Sequence, residues 1–299
     1  MVTERIFRWA ARLFDPGMAK NMERSGAAQL NEFTDEDISD FVEVIDRGSD
    51  VTIFSFAGLA VLFAGLPSFE FRRLLESSGE DYNLVFFRDI RRSCYHVRPD
   101  GEPGGLEFYE VQVRRVIESL GSTYNVGVGV SVGGSAAFYF GARCGFDQIV
   151  TFSPGYPLTV YCGALNQLQT YFNPVRFFRS PKAYAELILV TIGSAWSYKR
   201  LCKTIGKDAI WPVIDAYEAC DPRPRAAVYY GRGCRPDARQ AALMADLAEV
   251  DCIALPTMYH NCAGYLKGQD KLGSTILEQV REGRLAESRK ARSGKCQTE

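Results

Sequence analysis

The sequence predicts an α/β protein built on a mainly parallel sheet with helices on both faces. Short apolar, β-branched runs such as VTIFSF and YNVGVGV alternate with stretches of helical spacing, the pattern of strands buried on both faces. A serine stands between one of these strands and the following helix, with glycines on either side at Gly129 and Gly133. An acid and a histidine follow two later strands, and ligands in such folds gather at the carboxyl ends of strands.

The chain of 299 residues suits one large domain with an insertion. Lys and Arg total 35 against 36 for Asp and Glu, so no global charge bias draws the protein to nucleic acid. Nine cysteines are scattered singly without a CxxC pair, which fits reduced thiols and a cytoplasmic location. No apolar run is long enough to span a bilayer, and the N-terminus lacks a signal-peptide pattern, which leads to the same expectation. With His96 and His260 as the two histidines, a multi-histidine metal site is hard to build, and any imidazole base is one of two.

Residues 1–40 form an expected N-terminal extension. Within it, Ile6, Trp9, Ala10 and Leu13 lie at helical spacing with Arg5, Arg8 and Arg12 on another face. Such a basic amphipathic helix can pack on its own domain or a protein partner, or lie peripherally on an anionic membrane. Residues 41–299 form the expected main domain. Strands are predicted at Phe41 to Ile45 and Val51 to Phe56, the second ending in Ala57 and Gly58, where small residues let backbone N–H groups approach a ligand. A helix over Phe69 to Ser77 leads to a strand at Leu84 to Phe87, with Arg88 and Asp89 at its end. A loop rich in Pro and Gly precedes a helix over Leu106 to Leu120.

The next strand enters the serine turn, and a helix leaves it. Another strand follows at Gln148 to Phe152. Residues 156–225, aromatic and proline-containing, read mostly as a helical cap inserted over the sheet, part of which can add to the core. The core resumes with a strand at Ala226 to Gly231, a helix over Ala238 to Ala248, a strand at Val250 to Leu255 and a helix from about Cys262. The last dozen residues are expected to fray.

The spacing Gly129, Ser131, Gly133 is that of a nucleophile elbow. A serine hydroxyl is a weak nucleophile until a base takes its proton and donors hold the oxyanion that forms. Ser131, Asp237 and His260 each follow a strand, in the chain order of α/β-hydrolases. His260 is then the base, and Asp237 fixes its tautomer. The backbone N–H of Val132 is one expected oxyanion donor, with Gly58 or Leu59 supplying the other. Asp237 can alternatively cap the helix after it, and Asp221 and Asp251 compete as the acid, although the first precedes a strand and the second opens one. A glycine-rich dinucleotide turn at Gly127, Gly129 and Gly133 would need an acid at the end of the next strand, where Phe152, Ser153 and Pro154 stand. A cysteine hydrolase through Cys94 or Cys262 lacks an elbow.

The stretch GVSVGGSAAFYFGARCGFDQIVTFSPG, with FFRD before it and PDARQAALMADL and LPTMYHN after it, resembles α/β-hydrolase proteins of bacterial polysaccharide biosynthesis and glycan export, related to the accessory secretion protein Asp-two. The resemblance runs from about Val51 to Leu266 and is weakest over 156–225. It implies an α/β-hydrolase fold with a triad of Ser131, Asp237 and His260, Arg88 and Asp89 beside the site, and an acyl ester on a glycan or lipid as substrate class.

The expected function is a serine carboxylesterase or deacylase working through an acyl-serine intermediate. It calls for no cofactor, metal or nucleic acid. Tyr156, with Tyr161, Tyr171, Phe172 and Trp196, would help shape a pocket for a small-molecule or glycan ester. The alternatives are an acyltransferase with the same triad and a non-catalytic scaffold of a glycan-modifying complex. The oligomeric state is left open.

Overall fold

The computed structural model describes residues 39–58, 69–155, 178, 180–184, 186, 203, 205 and 213–295. The N-terminal amphipathic helix, Leu59, Tyr156 and the other cap aromatics fall outside these residues.

In chain order the described elements are β1 (Val42–Ile45), β2 (Val51–Phe56), α1 (Arg72–Glu76), β3 (Asn83–Phe87), α2 (Gly105–Leu120), β4 (Tyr124–Val130), α3 (Val132–Cys144), β5 (Gln148–Phe152), α4 (Val213–Glu218), β6 (Arg225–Gly231), α5 (Arg235–Met244), β7 (Val250–Leu255), α6 (Cys262–Lys267) and α7 (Leu272–Lys295). The seven strands form one sheet in the order β1-β3-β2-β4-β5-β6-β7. β1 pairs antiparallel with β3, and every other neighbouring pair is parallel. This is the α/β-hydrolase architecture, a mostly parallel sheet with helices on both faces.

β2 through β5 are buried along their whole length, which is why they read as unbroken apolar runs. Side chains alternate between faces. Phe54, Phe56 and Phe87 point to one face, where they meet Phe138 and Phe140 of α3 and Tyr109 of α2. Phe56 stacks on Phe87 and Phe140 at centroid separations of 5.5 and 5.4 Å. Ile53, Phe86, Val126, Val128 and Val150 point the other way, onto Ile276 and Val280 of α7 and Leu266 of α6.

α4 lies inside the stretch read mostly as a cap and is a part of it that adds to the core, as that reading allowed: Val213 and Tyr217 are buried, and Tyr217 packs edge-on against Phe138 of α3 at 5.5 Å. The Tyr217 hydroxyl donates to the Pro224 carbonyl at 2.7 Å, holding α4 against the entry to β6. The last helix, expected to fray over the final dozen residues, continues to Lys295. Its buried residues Ile276, Leu277 and Val280 anchor it to the sheet, and an anchored helix propagates beyond its contacts.

Candidate active site

β4 delivers Ser131 and α3 leaves from it. Ser131 takes φ 53° and ψ −122°, a conformation costly for a side-chain-bearing residue, and it is fixed from both directions. Its N–H donates to the Phe152 carbonyl at 2.9 Å, and its carbonyl accepts from the N–H of Gly155 at 2.9 Å. The glycines on either side are required by space. A Cβ on Gly129 would strike the Gly133 carbonyl, and one on Gly133 would strike the Phe56 carbonyl at the end of β2. Helix and strand therefore cross with no room for a methyl group.

The three candidates from separate strand ends meet. His260 Nε2 lies 2.9 Å from Ser131 Oγ, and Nδ1 lies 2.8 Å from Asp237 Oδ1. Both contacts are satisfied by the tautomer with its proton on Nδ1, donating to Asp237 and leaving Nε2 to accept the serine proton. Asp237 sits in the first turn of α5 and is buried; the N-cap of that helix is Cys234, so the capping alternative for Asp237 is not what the fold uses. The His260 turn is set by Asn261, whose side chain caps α6 by accepting the Gly264 N–H at 2.7 Å. Burial acts to lower the His260 pKa, but the charge and hydrogen bond of Asp237, with a further contribution from Glu186, outweigh it and leave the pKa raised. The other histidine, His96, is buried in the loop between β3 and α2 with Nδ1 2.7 Å from the Cys94 carbonyl, and burial lowers its pKa.

Cys234, Asp237 and His260 offer sulfur, oxygen and nitrogen atoms within 4.8 Å of one another, all buried. Burial and then the Asp237 charge push the Cys234 thiol well above its ordinary pKa, which keeps it protonated. Asp237 and His260 are committed to each other, so the cluster stands as a hydrogen-bonded acid–imidazole pair with a thiol beside it.

The remaining predicted residues divide. Val132, expected as one oxyanion donor, opens α3 directly after Ser131. The Gly58 N–H, expected as a second donor, is given to Glu70 Oε2 at 2.8 Å. Glu70 is half-buried, and desolvation of its carboxyl, only partly offset by that bond, pushes its pKa up to about 7. Arg88 and Asp89 shape the loop after β3. Arg88 pairs with Asp40 and lies over the Phe69 ring at 4.5 Å, while Asp89 accepts the backbone N–H groups of Ser93 and Tyr95 at 2.5 and 3.0 Å.

Sequence reasoning missed Glu70 and Glu186. Glu186, from the stretch read as a cap, accepts the Asn261 N–H at 2.7 Å beside His260. Each was visible as a lone carboxylate in an apolar run, SFEF and AYAELILV, a place where an acid is rare without a local task.

No protein-family model matches the chain, and no curated protein matches it in sequence. Among solved structures, it is similar to the proline iminopeptidase of Mycobacterium smegmatis at 12% identity, with 83% of this chain and 97% of that one covered and a TM-score of 0.53. It is also similar to EstE7, an HSL homologue from a metagenome library, at 17% identity, with 95% and 96% covered and a TM-score of 0.52. At these identities the overlap establishes the shared α/β-hydrolase fold.

Proposed function

We propose that this protein is a serine hydrolase that cleaves acyl esters through an acyl-serine intermediate. The observation that carries the reading is the unbroken line from Ser131 Oγ through the His260 imidazole to Asp237, with contacts of 2.9 and 2.8 Å. Ser131 Oγ attacks the ester carbonyl as Nε2 takes its proton, and the Val132 N–H faces the oxyanion that develops. Collapse breaks the acyl–oxygen bond, and the leaving alkoxide takes the proton from Nε2. Water then attacks the acyl-serine with His260 as base again, releasing the acid and restoring the serine hydroxyl. Asp237 stabilises the imidazolium throughout without itself taking the proton.

The protonated state of Cys234 and the engagement of Nε2 with Ser131 favour oxygen over sulfur as the nucleophile. The motif resemblance around Ser131 favours an acylated glycan or lipid as the substrate. Cys144, Cys220, Cys234, Cys252 and Cys262 form no disulfide, consistent with work in a reducing cytoplasm, and among the described residues no helix is long and apolar enough to cross a membrane.

Labelling with a fluorophosphonate probe tests the reading. The wild-type protein is expected to label, with Ser131→Ala silent and His260→Ala slowed by orders of magnitude. An unlabelled wild-type protein, or one that labels equally after Ser131→Ala, removes the proposal.

A further inference from the structure

Glu186 stands apart from the three residues that the reaction above uses. Its Oε1 takes the Asn261 N–H at 2.7 Å, and its Oε2 is buried with no hydrogen-bond partner. Asn261 follows His260 directly and caps α6, and the next N–H, that of Cys262, donates to the His260 carbonyl at 2.7 Å. The turn carrying the imidazole is thus held from within by its own cap and from outside by Glu186. Among the described residues, the titratable groups that act on or feel Glu186 are His260, Asp237 and Cys234. None of the three is a permanent cation. A half-buried carboxylate with one buried, unsatisfied oxygen gains from a group that can become positive, and among the described residues the imidazole of His260 is the one whose charge acts on it.

We propose that Glu186 is a positioning residue for the triad, tying the chain after β5 to the His260 turn and setting a second carboxylate against the imidazole. It rests on the reading of His260 as base. In that reading the imidazole becomes cationic at each proton transfer, and two carboxylates, not one, then stabilise it. Burial and, less, the Asp237 charge raise the Glu186 pKa, with the His260 charge and the backbone amides of Asn261 and His260 opposing that rise. Glu186 and His260 therefore favour each other's charged forms.

Glu186→Gln separates the two roles, because the amide oxygen still accepts the Asn261 N–H while the charge is gone. The chain has two histidines, so imidazole NMR resolves His260 from His96, whose unchanged signal reports an intact fold. In Glu186→Gln the His260 pKa is expected to fall by on the order of one unit, and the acid limb of fluorophosphonate labelling to move down by the same amount, with the alkaline plateau lowered because the imidazolium formed at proton transfer has lost one of its two carboxylates. Glu186→Ala is expected to lower the plateau further, because the turn also loses its outer tether. An unchanged His260 pKa in folded Glu186→Gln overturns the proposal. If that variant does not fold, Glu186→Asp retracts the charge by one methylene, and an unchanged midpoint there overturns it equally. The imidazole titration is read whether or not the protein labels, so failure of the triad reading and failure of the Glu186 inference are seen separately.

Discussion

At the scale of single residues, His260 and Glu70 respond to pH in opposite senses. In the proposed chemistry His260 must be neutral to accept the serine proton, and its raised pKa means that labelling of Ser131 falls as pH drops through a midpoint above the ordinary histidine value. A pH profile of labelling rate with its midpoint at or below that value would contradict this expectation. Asp237→Asn leaves the volume of the site intact but favours the wrong tautomer, and turnover is expected to fall by roughly 10³ to 10⁴. Glu70 acts on stability. Its pKa rises from 4.5 to about 7 on folding, so the stability it contributes is complete below 4.5 and is lost as pH climbs to about 7. Thermal melts of Glu70→Gln across that window are expected to show a smaller decline in Tm than the wild-type protein.

At the scale of elements, the tightest junction is that of β4, α3 and the end of β2. Gly129→Ala sets a methyl group against backbone, which cannot swing away as a side chain can, and the expected cost is about 1–3 kcal/mol or more in urea denaturation. On α7 the pattern of burial gives a graded test. Val280→Ala, at 0% exposure, is expected to cost on the order of 1–3 kcal/mol, and Leu285→Ala, at 57%, to stay within about 0.5 kcal/mol. Much of this was legible in the sequence. β2 and β5 begin and end where the apolar runs do, because runs buried on both faces carry their own boundaries. The elbow was legible for a similar reason: its glycines, serine and flanking elements lie within a few residues of each other. What joins distant segments was not. Asn261 and Glu186 are 75 residues apart, and no local pattern names the partner of a buried carboxylate. The Gly58 amide looked like an oxyanion donor for the same reason, since the acid that takes its N–H lies 12 residues on, across an intervening segment.

At the scale of the whole molecule, the site exists only while three parallel strands hold register. Ser131 follows β4 near the middle of the sheet, Asp237 follows β6, and His260 follows β7 at the edge. β7 is the least buried of the three, with exposed positions at Asp251 and Ala254, so its end is expected to open before the centre does. Loss of Ser131 labelling in urea should therefore precede loss of the far-ultraviolet signal. Coincident transitions would show that the edge and the centre unfold as one unit.

The backbone of Ser131 ties these scales together. Its φ of 53° and ψ of −122° suit glycine and burden any residue with a Cβ, at a cost of about 1–3 kcal/mol. Ser131→Gly is thus expected to melt at a higher temperature than Ser131→Ala, and above the wild-type protein if the hydroxyl contributes less than the strain removed. In the proposed chemistry, the position at which the chain could most simply become more stable is the one at which it would cease to react.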